Sequence, residues 1–116
     1  MGYNEAQTCF EYVEPAIKDA GWGANETNSR VLAQYQINKG RIHVGGERAP
    51  ALIADYVLEH QGLKLAVVEA KKWDLHVTEG LAQAKNYVSK MSVRFAISTN
   101  GQQIYLADLL TGVEGL

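Results

Sequence analysis

The sequence predicts an α/β domain, a mixed β-sheet flanked by helices, and three observations carry the architecture. Helix-spaced and strand-spaced apolar patterns alternate along the chain. Two neighbouring strand segments are apolar nearly throughout. No repeat, linker or low-complexity run interrupts the order helix, strands, helix, strands. At 116 residues the chain is one domain, 1–116, long enough to bury a core.

The first helix is expected from Asn4 to Ala20. Ala6, Cys9, Phe10, Val13, Ala16, Ile17 and Ala20 recur at i, i+3, i+4, i+7 and make one apolar face. Asn4 is an N-cap and Gly21 a C-terminal glycine. Pro15 bends this helix or costs it a hydrogen bond, and Trp22 folds back on the core. Gly23 to Arg30 reads as a polar loop, Val31 to Asn38 as a strand of mixed pattern, and Gly40 to Pro50 as a glycine-containing connection. Two stronger strands follow, Leu52 to Glu59 and Leu65 to Lys72, joined by a tight hairpin at His60-Gln61-Gly62-Leu63. The apolar run Leu65-Ala66-Val67-Val68 marks a central strand covered on both faces. A second helix begins at His76 or Thr78 and ends at Met91, with Leu81, Ala84, Val88 and Met91 as its core stripe. Val93 to Ser98 and Gln102 to Ala107 are strands joined by Asn100-Gly101, the preferred type I′ pair.

Composition narrows the function classes. No apolar run approaches the roughly 18 residues of a membrane span, and no basic-then-apolar leader opens the chain. A single cysteine, Cys9, rules out an internal disulfide and fits a reducing cytoplasm. His43, His60 and His76 lack zinc-ligand spacing, and no phosphate-binding Gly-x-x-x-x-Gly-Lys-Ser/Thr loop is present, so the chain carries no ATPase. Net charge is −2, with 13 acidic and 11 basic residues. Autonomous DNA-binding domains are usually basic, so this balance weighs against a nucleic-acid partner unless carboxylates hold a metal or a larger assembly supplies affinity.

The informative constellation is Asp55 on one strand and Glu69-Ala70-Lys71 on the next. Residues two apart on a strand share a face, so Glu69 and Lys71 project together. Asp55 joins them if it pairs with Glu69, which requires an odd-length loop centred on Gly62; an even loop turns it away. Two carboxylates so paired can share one divalent ion, and hard Mg²⁺ prefers carboxylate oxygens. Phosphodiester cleavage needs such a group, with an ammonium beside it to orient water and stabilise developing charge. Without a metal the two carboxylates repel, so one pKa should rise. The bland reading is three ordinary charges around a hairpin; their setting in apolar strands, where unpartnered burial is costly, favours a purpose.

These residues, with others, resemble the N-terminal nuclease domain of type I restriction enzyme R subunits, a branch of the PD-(D/E)xK superfamily. The resemblance runs through Asn4-Glu5-Ala6-Gln7-Thr8, Gly21-Trp22, Ala54-Asp55-Tyr56-Val57-Leu58 and Ala66-Val67-Val68-Glu69-Ala70-Lys71. It continues through Gln83-Ala84-Lys85-Asn86-Tyr87, Ser98-Thr99-Asn100-Gly101, Asp108 and Thr111-Gly112. The signature's proline before the aspartate is Ala54 here. The resemblance implies a Mg²⁺-dependent endonuclease hydrolysing double-stranded DNA, with Asp55 and Glu69 as metal ligands and Lys71 as the catalytic lysine. It adds Glu5, which holds the metal or its waters, although a first-turn glutamate on the helix dipole is equally good physics. It also matches Gln83 and Tyr87 to a Q-x-x-x-Y element that contacts phosphates or braces the lysine. Helical geometry alone puts both beside the core stripe, the tyrosine at the boundary. The resemblance further implies ATP-driven motor domains, absent here, and specificity and modification subunits as partners. On that reading the chain is a nuclease module without its motor, excised or truncated.

Weaker candidates are Arg41, Arg48, Lys64, Lys72 and Lys85 as phosphate contacts, which scattered basics rarely are. Core packing is the better reading of Trp73, and His76 as a general base is not required. The rival from another class is a catalytically silent docking module that kept the fold; an intact Asp55, Glu69 and Lys71 argues against it.

Overall fold

The computed structural model describes residues 4–24, 28–37 and 52–116. The glycine-containing connection, with Arg41, His43 and Arg48, lies outside the described residues, as does Asn38. Asn4 caps the first helix: its side chain accepts the Gln7 N–H at 2.8 Å. Gly21, at φ 98°, ends it. There Gly21 N–H reaches the Lys18 carbonyl at 2.9 Å and Trp22 N–H that of Ile17 at 3.3 Å, the paired bonds of a Schellman motif. Trp22 then packs against the core, as expected.

Between these caps the helix changes pitch: α1 (Glu5–Thr8), a π-helical turn (Cys9–Val13), then α2 (Glu14–Asp19). Pro15 is the cause that chemistry offers, since it has no N–H to give the Glu11 carbonyl and its ring crowds that oxygen. The chain widens by one residue instead, and Glu14 N–H reaches back five positions to Cys9. The single apolar face expected from periodicity is therefore corrected. Val13 packs on the sheet with Cys9 and Ile17, whereas Phe10 is 74% exposed and Ala6, Ala16 and Ala20 are exposed too.

Among the described residues the sheet has six strands in the order β1-β2-β3-β4-β5-β6: β1 (Ser29–Gln36), β2 (Ile53–His60), β3 (Leu63–Ala70), β4 (Phe95–Thr99), β5 (Ile104–Asp108) and β6 (Glu114–Gly115). Among the described strands only β3 and β4 are parallel, and α3 (Leu81–Met91) makes their crossover. The sheet is mixed, as the sequence predicted. α3 starts later than His76 or Thr78 because Gly80 is its N-cap, preceded by turns such as Leu81 N–H to the Thr78 carbonyl.

Both hairpin turns stand where the sequence put them, and each differs from expectation in type or length. The β2–β3 turn is two residues, Gln61 and Gly62, both at positive φ as a type I′ turn requires. At Asn100-Gly101 only the glycine has positive φ, and Thr99 pairs with Ile104, leaving a four-residue loop. Asn100 makes a side-chain turn there instead, its Oδ1 accepting from Gln102 and Gln103 N–H.

The core has two layers. On one face α3 buries Ala84, Tyr87 and Val88 against Ala54, Val57, Val67, Ala96 and Ala107. On the other the N-terminal helix lays Val13 on Tyr56, Leu58, Ala66, Val68 and Ala70. β3 is covered on both sides, which explains its unbroken apolar run.

Candidate active site

The register of β2 and β3 decides whether the two carboxylates meet. The even turn pairs His60 with Leu63 and Glu59 with Lys64; the next pair is Leu58 with Ala66, so Leu65 is an extra residue in β3. This bulge restores the parity that the even turn removes. Pairing then runs Val57 with Val67 and Tyr56 with Val68, the last pair of the ladder, and the same register carried one step further would set Asp55 opposite Glu69. The odd loop expected from sequence is thus replaced by an even turn plus a bulge, to the same end. The ladder opens at this point: Ala70 N–H donates to Asp55 Oδ2 at 2.8 Å.

Asp55 is half-buried, and Glu69 lies behind it at 2% exposure with Oε1 buried and lacking any hydrogen-bond partner. Gly80 lets the start of α3 approach, since a Cβ there would come within 3.2 Å of Glu69 Cβ. Burial, and then the Asp55 carboxylate beside it, push Glu69 up to about 9, with Lys71 pulling the other way. The like-charge conflict expected from the sequence is present. Across the sheet, Gln34 stands opposite Asp55 at φ 50°, a left-handed conformation costing about 1–2 kcal/mol for a non-glycine residue.

Lys71 follows directly after β3. Its N–H bonds the Thr99 carbonyl at 2.8 Å and its Nζ donates to Gln83 Oε1 at 3.3 Å. Gln83 Nε2 in turn donates to the Tyr87 hydroxyl at 2.7 Å. The three residues form one chain of hydrogen bonds from α3 to the strand end. The boundary position expected for Tyr87 is corrected: it is 5% exposed and belongs to the α3-side core, its ring filling space while its hydroxyl reaches outward.

Glu5 faces the same neighbourhood. Burial, then the Asp55 charge, raise its pKa, and Lys71 opposes them. It lines an open cavity of about 500 Å³ with Cys9, Glu14, Gln34, Asp55 and Tyr56. Among the described residues no group of three or more His, Cys, Asp or Glu side chains is close enough to hold a metal ion. Cys9 and Tyr56 were not singled out from sequence; their only signal is adjacency to Asp55 and one helical turn from Glu5. Burial pushes the Cys9 thiol up to about 11, which keeps it protonated and unreactive.

The remaining candidates fall elsewhere. Lys64 pairs with Glu59 and Lys85 with Glu114, Lys72 is exposed, and His76 is exposed with Nδ1 2.7 Å from Thr78 Oγ1. Trp73 packs on Tyr12 of the first helix, ring centroids 4.6 Å apart. No described helix is long and apolar enough to cross a membrane.

A mixed sheet flanked by helices, with two carboxylates and a lysine gathered where two central strands part, defines a restriction-endonuclease-like α/β domain. Residues 27–114 match the family described as type I restriction enzyme R protein N terminus. Over 115 residues the chain is 32% identical to the type I restriction enzyme EcoAI endonuclease subunit of Escherichia coli, covering 96% of this chain and 14% of that protein. A solved fragment described as an HsdR subunit of a type I restriction enzyme from Vibrio vulnificus YJ016 superposes with a TM-score of 0.91 at 39% identity, covering 99% of this chain and 23% of that one. The chain belongs to the family of type I restriction enzyme R protein N-terminal regions.

Proposed function

We propose that this domain is a Mg²⁺-dependent endonuclease that hydrolyses phosphodiester bonds of double-stranded DNA as part of a type I restriction R subunit. The observation that carries the reading is the buried, unpartnered Glu69 Oε1 beside Asp55. Two adjacent carboxylates with an orphaned oxygen are a poor arrangement alone and a good one around a hard cation, which takes oxygen donors and relieves the repulsion. Asp55 and Glu69 would hold the metal, and Glu5 adds negative charge at the cavity mouth. When bound, Mg²⁺ supplies charge neutralisation for the scissile phosphate and lowers the pKa of water.

The chain's own residues do the rest. Gln83 accepts from the Lys71 ammonium and keeps it aimed along the strand end, while the buried Tyr87 fixes Gln83. Lys71 so held orients the attacking water and steadies charge developing on the phosphate oxygens. Clustered cations are few, so the domain alone binds DNA weakly and cuts slowly. The longer protein, with its ATP-driven motor and its specificity and modification partner subunits in the cytoplasm, brings the DNA. The test is plasmid nicking by the assembled enzyme with Mg²⁺ and with EDTA. Metal-dependent nicking lost in Asp55→Ala, Glu69→Ala and Lys71→Ala supports the reading. Near-normal nicking by any of the three defeats it, leaving the docking module.

A further inference from the structure

The segment Ser98–Gly101 enters none of the chemistry above, yet it touches three elements that carry it: the β3 end, α3 and the N-terminal helix. Ser98 Oγ, fully buried, donates to the Val77 carbonyl at 2.6 Å and accepts the Gly80 N–H at 3.1 Å, fixing the start of α3. The Thr99 carbonyl accepts the Lys71 N–H. Asn100, 5% exposed, donates from Nδ2 to the Leu75 carbonyl at 2.7 Å and so ties down the loop behind Lys71. Its Oδ1 is occupied by the Gln102 and Gln103 N–H groups, and Gln102 itself holds the Trp73 carbonyl. Gly101, at φ 89°, lies where a Cβ would stand 2.8 Å from Thr8 Cγ2 and 3.1 Å from Trp73 Cε3. Thr8 sits three positions after Glu5 on the same helix.

We infer that Ser98–Gly101 is a positioning clamp for the site. One continuous segment braces the helix carrying Gln83, the strand end carrying Lys71, the loop behind it and the helix carrying Glu5. Its residues act through Lys71 and Glu5 rather than on the reacting atoms. The catalytic meaning rests on the nuclease reading; the effect on Lys71 rests on geometry alone, and the test separates the two.

Lysine acylation read by mass spectrometry gives the rate at Lys71 relative to the exposed Lys90. In Asn100→Ala and Gly101→Ala that ratio should rise about fivefold as the half-buried ammonium is released. Asn100→Asp, which keeps the turn acceptor and loses the donor to Leu75, should fall between. Arg94→Ala, which breaks the ion pair with Asp108 elsewhere on the sheet, serves as a destabilised control with an unchanged ratio. In the assembled enzyme, Asn100→Ala should lower kcat for nicking about 10- to 100-fold with KM nearly constant. A Lys71 ratio no different from the Arg94→Ala control overturns the clamp, as does nicking that falls only with the folded fraction. Should Asp55→Ala nick normally, the nuclease reading fails and the labelling ratio alone decides the clamp.

Discussion

Glu59 and Glu69 lie on neighbouring strands, 7% and 2% exposed, and the protein treats them in opposite ways. Glu59, near the hairpin turn, has Arg30 at 3.3 Å and Lys64 at 3.7 Å, and Lys64 also rests over the Tyr35 ring. Glu69, at the other end, has a second carboxylate beside it and an oxygen with no partner. A buried charge is ordinarily matched or removed. The hairpin end matches its charge, whereas the site end, without a metal, can only remove it and still leaves a buried oxygen without a partner. Such local violations are where function is expected, because nothing in folding alone rewards them.

The largest way to break this contrast is catalytic. Glu69→Ala and Lys71→Ala should each cut Mg²⁺-dependent nicking by about two orders of magnitude or more, while Glu59→Ala keeps the rate per folded molecule. Equal losses would erase the distinction between the two glutamates. Next in size, Tyr87→Ala should cost about 3–5 kcal/mol in a denaturant titration, because the site end is fully packed even where its charges are unbalanced. A cost below 1 kcal/mol would mean the ring is not core.

The two glutamines sharpen the comparison in opposite directions. Without metal, Glu69→Gln should gain on the order of 1–3 kcal/mol, whereas Glu59→Gln should lose about 1 kcal/mol with its ion pairs. The pH dependence follows the same sign. Glu69 moves from an ordinary 4.5 to about 9 on folding, so between those values the unfolded chain sheds a proton that the folded one keeps. Glu69's contribution to metal-free stability should therefore be fully present below about 4.5 and be lost as pH climbs through about 9, and Glu69→Gln should flatten that slope. The smallest effect belongs to Tyr87→Phe, about 0.5–1.5 kcal/mol for the lost bond to Gln83, with a loosened Lys71 visible by labelling.

Most of the architecture was legible because period and burial agree: β2, β3, α3 and the Asn4 and Gly21 caps stand within a few residues of where the pattern put them. What escaped has a common physical character. The π turn ahead of Pro15 and the bulge at Leu65 are single extra residues, invisible to a periodicity that assumes regular spacing. The Asn100 turn was misread because its side chain, rather than its backbone, supplies the turn. The candidate site was legible at Asp55, Glu69 and Lys71 from strand alternation. The hydrogen-bonded chain through Gln83 to a buried Tyr87 needed the third dimension, since 100° per residue cannot say how far a neighbouring strand reaches.

The bulge at Leu65 makes the hairpin a counting device. Parity, not length, is what the carboxylates register: an even turn and one surplus strand residue together leave Asp55 and Glu69 in phase. Removing Leu65 alone, or adding one residue to Gln61-Gly62 alone, would swing one carboxylate to the opposite face. Doing both would restore the phase with a different turn. Changes in this hairpin are thus tolerated only in compensating pairs, so a lengthened turn in any working relative should arrive without the bulge.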